Sequence, residues 1–434
     1  MVKIMPVSGT IDELEGILKT TYVGSVNEQM AEDNMFLMKL EAYGMKVPVD
    51  GTTPKFNLQY SRSGGIGFRD TSSTVPLLPD ARTGRHKQGT VSIKELYGRE
   101  EFTIIQVESA KGAGAFVGTI TDKTEQMIRD FRDAYGISLY TNTKGAITTA
   151  TAAVLVGTPL VVAVADKVRL QEGNVVDIID ATDGAVLVRK ALVASFDDEN
   201  NLVTFDLTDA TKGTGTTAAT TLYGAVLGTG ANVAIASGDY IVFEESYNLS
   251  YAGLEEQVLE TGTLHGIDRS SDVFYTSSLK DIGNVVITNK FIRLVKNSIL
   301  RKSRRENGYA LDCGLGNYDE ISGFEDTLDD NVRYDVMSGD KAPGLIGGYN
   351  VLKHDNLDII GDRYATAHKL FLLSTESFML YQTADTKFLD MGEGIFNRNY
   401  QKAQYEFTLY NYQNLVSYNL RANGALTNVK GLSE

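Results

Sequence analysis

The sequence predicts an α+β chain carrying an inserted all-β segment, and three observations support that class. Apolar residues recur at helical spacing in two long windows, residues 115–135 and 284–306. Period-two alternation brackets a basic segment at 51–94 and returns near the C-terminus at 405–420. Between 151 and 246 helical periodicity gives way to Val, Ile, Ala, Thr and Gly in short, turn-bounded runs.

The bulk properties set limits. A chain of 434 residues with 42% apolar content is enough for two or three ordinary cores. A net charge of −15 argues against a surface that binds nucleic acid or membrane throughout, while leaving room for a local basic face. The one cysteine, Cys313, excludes an intramolecular disulfide framework and fits a reducing compartment. The first residues lack the regions of a secretory signal, so nothing in them directs export. The longest apolar run, 150–165, is broken by Gly157, Thr158 and Pro159. It falls short of the roughly 20 residues needed to cross a bilayer and reads as two buried strands.

Taken in order, residues 1–50 form an arm with a short helix candidate at 8–19, capped by Thr10 with Glu13 three residues on. Residues 51–94 carry seven Lys/Arg against two Asp, a balance of +5 on an acidic chain. Their apolar residues, Phe56, Leu58, Tyr60, Ile66, Phe68, Val75, Leu77 and Leu78, are diluted by Gly, Ser, Thr and Pro. No compact core offsets the ordering entropy, so neighbours must order the segment. Strand-like runs at 55–60 and 90–94 make it a long β-hairpin. Its length argues against an idle surface loop.

Residues 95–150 centre on an amphipathic helix at 115–135, with Phe116, Ile120, Met127, Ile128, Phe131 and Tyr135 on one face and Gly136 placed to end it. Strand candidates at 174–179, 186–193, 202–207 and 239–244 make 151–246 a separately packed barrel or sandwich, with an exposed loop at 208–221. A second helix, 284–306, puts Val285, Phe291, Ile292, Val295 and Ile299 on one arc and Lys290, Arg293, Arg301, Arg304 and Arg305 on the other. That basic stripe suits either bound polyanion or a solvated, ion-paired face. Mixed elements follow to 390, then tyrosine-rich strands at 405–410 and 415–420 within 391–434.

Catalytic signatures are weak. His86, His265, His354 and His368 lie far apart and none forms the i, i+4 zinc pattern. His265, Asp268 and Ser270 are triad residue types in one short loop, without a nucleophile elbow. The Gly-rich run 112–118 lacks a Walker lysine and reads as a close-packed helix entry. Asp177, Asp180 and Asp183 miss the EF-hand spacing and read as turn residues. Cys313 sits in a strand-like context suited to a small buried side chain. No enzyme activity, cofactor or metal site is implied.

The order of these pieces resembles the major capsid protein of tailed bacteriophages, the Hong Kong 97 fold. The local matches are Arg304-Arg305-Glu306-Asn307-Gly308 closing a helix, the strand at 309–313, and 350–355 followed by 369–374 and 378–381. The closing strands at 405–420 complete them. The resemblance implies an N-terminal arm (1–50), an extended loop (51–94), a peripheral domain with a spine helix (95–150), an inserted β domain on the exterior (151–246), an axial domain (247–390) and closing strands of the peripheral domain (391–434). It implies self-assembly into pentamers and hexamers of an icosahedral shell around double-stranded DNA held by non-specific contacts. Portal, decoration and separate scaffolding proteins would be partners. The product would be a virion capsid assembled in the host cytoplasm, with no membrane. Inter-subunit contacts are expected at Arg62, Ile66, Phe68, Arg69, Leu77, Leu78, Arg82, Arg85 and Lys87. An encapsulin-like compartment shares the fold, and a β-rich adhesin or glycan-binding protein would explain the Thr/Gly-rich insertion without the arm.

Overall fold

The computed structural model describes residues 34–61, 64–66, 68, 80, 83–103, 113–155, 160–197, 201–207, 211–212, 234–303, 310–329, 351–354, 357–390, 397–399 and 404–432. The helix candidate at 8–19 and most of the loop at 208–221 lie outside them.

Three sheets organise the chain. In the first, Gln404–Ser417 is central, pairing antiparallel with Lys94–Thr103 and with Phe378–Phe388; Lys46–Pro48 adds in parallel beside the latter, and Asn397–Asn399 also pairs with Gln404–Ser417. The candidate at 405–410 and the first half of that at 415–420 belong to one strand of 14 residues that ends at Ser417. Alternate residues Phe407 and Leu409 are buried, and Phe102 stacks on Phe407 at 5.5 Å.

The long helix α2, Ala113–Tyr140, packs on this sheet through Met127, Ile128, Phe131 and Tyr135. Gly136 does not end it. A Cβ at Gly136 would stand 2.9 Å from the Tyr364 ring. The glycine therefore marks a close approach between helix and loop, and backbone hydrogen bonding carries the helix through it at a propensity cost of about 1 kcal/mol. A short helix, α1, Met35–Ala42, lies within the expected arm. Asn34 caps it by accepting from the Leu37 N–H at 2.9 Å, and Met35, Phe36, Leu37 and Leu40 are buried.

The second sheet is antiparallel and runs Ala146–Thr149, Tyr240–Phe243, Val175–Ile179, Val186–Asp197, Leu202–Asp206, Leu160–Ala163. The four strand candidates between 174 and 244 are all present. The unit begins before residue 151, since Ala146–Thr149 forms its edge, and it is not separately packed. Val176, Ile178 and Phe205 share one continuous core with Tyr135 and Leu254. The buried Arg169 donates to the Tyr364 carbonyl at 2.7 Å, and Gln171 to Asp133 at 2.5 Å. Asp180 and Asp183 are turn residues, accepting from Thr182 and Ala185 N–H groups. Asp177 is a buried strand residue instead. It accepts at 3.0 Å from the N–H groups of Lys190 and Glu245, both at positive φ, and so holds two left-handed backbone positions.

The third sheet has the order Ser278–Val285, Gly424–Val429, Lys369–Leu373, Cys313–Gly316, Leu357–Gly361, Val351–His354. Residues 391–434 are thus divided between two sheets, because Gly424–Val429 pairs with Ser278–Val285 and Lys369–Leu373. The short α3, Leu254–Gln257, precedes it. Two helices, α4 (Asn289–Ser303) and α5 (Tyr318–Asp329), cover one face through Ile292, Val295, Ile299, Ile321 and Phe324. The second expected helix starts at Asn289, not at 284. Residues up to Val285 are held in the parallel ladder, which leaves Val285 exposed at the strand end.

Glu320, in the first turn of α5, accepts from the His368 N–H at 2.6 Å, and its second oxygen is buried without a partner. Burial pushes the carboxyl up to about 7, only partly offset by backbone N–H groups. The folded value lies above the unfolded one, so the group's stability contribution is fully present below the unfolded value and is lost as pH rises through about 7. Glu320→Gln is expected to raise the melting temperature at pH 8 and to change it little at pH 4.5. Calorimetry showing equal shifts at both pH values would contradict this.

Candidate assembly surface

The basic segment is rooted by a β-ladder. Lys55–Ser61 alternates exposed and buried residues and pairs antiparallel with Arg85–Thr90, placing Phe56 opposite Gly89. A Cβ on Gly89 would run into the Phe56 ring, so the glycine lets that ring lie across the partner strand. Phe56 meets His265 edge-on at 5.9 Å and Tyr418 at 5.5 Å, and Leu58, Val91, Ile267, Tyr275 and Leu420 complete the cluster. A bulge between Gln59 and Ser61 turns Tyr60 onto Phe274, stacked at 4.8 Å.

The supposed loop around His265 is a tight hairpin, Thr263–Leu264 with Ile267–Asp268, with His265 and Gly266 both at positive φ. No triad forms, since Asp268 accepts from the Ser270 N–H and the Ser271 hydroxyl. His265 supports the root: its carbonyl accepts from the Thr90 N–H at 2.8 Å, and its Nε2 lies 3.2 Å from Gln257 Nε2. Burial lowers its pKa to about 4, with a backbone hydrogen bond to Leu415 opposing and Arg269 adding to the shift. The folded value lies below the unfolded one. Root stability is therefore present above the unfolded value of 6.5 and lost as pH falls toward 4. An NMR titration of the His265 ring is expected to show a neutral imidazole down to about pH 4; a midpoint near 6.5 would contradict the buried seat.

Beyond this root the two apolar side chains among the described residues stand in solvent. Ile66 is 92% exposed and Phe68 is 108% exposed. Arg85 is exposed opposite Ser61 on the returning strand, while Lys87 is engaged within the chain, its ammonium paired with Asp272. Arg62, Arg69, Leu77, Leu78 and Arg82 lie outside the described residues. On α4, Lys290, Arg293 and Arg301 are exposed opposite the buried Ile292, Val295 and Ile299; Arg304 and Arg305 lie outside the described residues. Cys313 is buried, and burial raises its thiol to about 12, an inert environment for a nucleophile.

The cyanophage A-1(L) capsid asymmetric unit matches this structure with a TM-score of 0.50 at 12% identity, over 90% of this chain and 93% of that one. The chain has a Hong Kong 97-like capsid fold. The capsid of a native GTA particle follows with a TM-score of 0.46 at 7% identity over 91% of each chain. The holo-SrpI encapsulin complex from Synechococcus elongatus gives 0.42 at 8% identity over 90% of this chain and 88% of that one. At such identities the likeness speaks to fold alone. No protein-family model matches the chain, and no curated protein matches it in sequence.

Within the capsid fold, sequence reasoning located the projecting hairpin but missed what holds it. His265, Tyr275, Asp272 and Tyr418 meet the hairpin only through long-range packing. The one local signal is His265-Gly266 between apolar residues, a turn signature.

Proposed function

We propose that this chain is the major capsid protein of a tailed phage, assembling as pentamers and hexamers of an icosahedral shell around double-stranded DNA. The observation that supports this reading most is the pairing of a capsid fold with a rooted hairpin that presents Ile66 and Phe68 to solvent. Exposed side chains of that size have a purpose when they are buried against another copy. Arg62, Arg69, Leu77, Leu78, Arg82 and Arg85 would join them in inter-subunit contacts. In this reading 95–145 and 404–417 contribute to the peripheral domain, Gly424–Val429 joins most of 247–390 in the axial domain, and the sheet opened by Ala146–Thr149 is an exterior insertion. A separate scaffolding protein, a portal and a decoration protein would be partners, and assembly would take place in the host cytoplasm before the virion forms.

Purified chain imaged by electron microscopy tests the reading. Closed shells with five- and six-membered rings are expected. A stable monomer would overturn it in favour of an adhesin-like protein, and shells isolated from infected cells with protein cargo and no DNA would indicate a compartment.

A further inference from the structure

The helix α4 has two faces half a turn apart. Ile292, Val295 and Ile299 are buried on the third sheet, which the helix meets through Ser278–Val285 and Gly424–Val429. The opposite arc carries Lys290, Arg293, Leu294, Asn297, Leu300 and Arg301, all exposed and recurring at helical spacing. At about 100° per residue, Lys290, Asn297 and Arg301 run along the centre of that arc, while Leu294 and Leu300, 45% and 43% exposed, lie on its two margins. The cations divide by position. Lys296 and Lys302 lie off the arc and are engaged within the chain, Lys302 with Glu260 at 3.4 Å and the Ser277 carbonyl at 3.1 Å. Lys290, Arg293 and Arg301, on the arc, have no hydrogen-bond or ion-pair partner among the described residues. The acidic helix α5 pairs with none of the three. It lies against the residues leading into α4, where the Thr327 hydroxyl donates to the Ile287 carbonyl at 3.3 Å.

We infer that this face of α4 docks an acidic amphipathic helix of a separate protein. The stripe from Lys290 to Arg301 runs for roughly 16 Å, which sets the occupant at about three to four helical turns. Charge names its sign. α4 holds five Lys/Arg and no carboxylate on a chain of net charge −15, so an acidic partner is repelled by most of the surface and drawn to this stripe. The leucines name its class. A helix laid along the stripe sets carboxylates against the central cations and apolar side chains against Leu294 and Leu300, which then exclude water from the ion pairs. Phosphates of a duplex would engage the cations but leave both leucines against a charged backbone. A second copy of α4 would set cation against cation. Docking of this kind needs no assembled ring and holds for the single chain.

Fluorescence anisotropy of labelled probes, titrated with the full chain below its assembly concentration, tests the docking. The main probe is a synthetic peptide of about 18 residues with glutamates along one helical line and leucines on both flanks. It is expected to bind the wild-type chain. Its affinity is expected to fall about tenfold or more with Arg293→Gln plus Arg301→Gln, and likewise with Leu294→Ser plus Leu300→Ser. Circular dichroism is expected to stay unchanged in both variants, because all four side chains are exposed. If the arginine pair fails to fold, Lys290→Gln with Arg293→Gln supplies the same reading. Two control probes set the class of ligand. The same peptide with serines for leucines is expected to bind about tenfold more weakly, and a short duplex DNA to bind the wild type and the arginine variant alike. Four outcomes overturn the inference: no binding of the leucine peptide to the wild type, binding undiminished by either pair of substitutions, a serine peptide that binds as tightly as the leucine one, or duplex binding that falls tenfold with the arginine pair. The last would assign the face to nucleic acid. A chain that forms no shells leaves this titration standing, so failure of the shell reading and failure of the docking are seen separately.

Discussion

Asp362→Ala is expected to destabilise the chain by about 3 kcal/mol or more, because one buried carboxylate holds three parts of the fold together. It accepts from the Tyr140 hydroxyl at 2.6 Å, from the Met35 N–H at 3.1 Å and from the Tyr364 N–H at 2.8 Å. These donors belong to the end of α2, the start of α1 and the loop after Leu357–Gly361. Burial raises the carboxyl's pKa, and the three hydrogen bonds oppose that shift, so the charge is itself costly. Alanine removes that cost but strands three buried donors, at about 1–3 kcal/mol each, and the second effect is the larger. Asn keeps the size and one acceptor oxygen, and is expected to lose less. Denaturant melts of the two variants check the order; an alanine variant as stable as wild type would contradict the assigned role.

Replacing Ile66 and Phe68 together by Ser is expected to abolish assembly while leaving the monomer folded. Full burial of two such side chains is worth about 3–6 kcal/mol per contact, against about 0–1 kcal/mol for a surface ion pair. Both side chains stand clear of their own chain's core, so truncation removes nothing from monomer stability. Reversing the arm's cations would be a poorer probe, since Lys87 is paired with Asp272 and its reversal would strain the root of the same chain. Sedimentation and circular dichroism of the double variant provide the check. Normal shells would show that the tip makes no apolar contact, and lost secondary structure would show that it belongs to the monomer core.

Much of this architecture was legible because it is written in local periodicity. The 3.6-residue recurrence of Met127, Phe131 and Tyr135 marks the long helix, alternation marks the outgoing hairpin strand but puts the returning one at 90–94 where the ladder uses Arg85–Thr90, and the change of composition after residue 150 marks most of the inserted sheet. What failed was set by distant partners. Gly136 resembles a helix stop until the Tyr364 ring is seen to need its missing side chain. Val285 fits a helical arc, yet the ladder pairing it with Val429 keeps it in a strand. Residues 424–429 carry no mark of which sheet they enter, because pairing between strands so far apart in sequence is decided by packing and not by propensity. For the candidate surface, the arm was visible as a charge anomaly, while the residues seating it were scattered from His265 to Tyr418.

The most direct measurement is single-particle electron microscopy of the purified wild-type chain at assembly concentration. The account predicts closed icosahedral shells in which the 51–94 hairpin of each subunit lies on a neighbour and buries Ile66 and Phe68. Particles whose hairpins fold back on their own subunit, or a chain that remains monomeric, would contradict it.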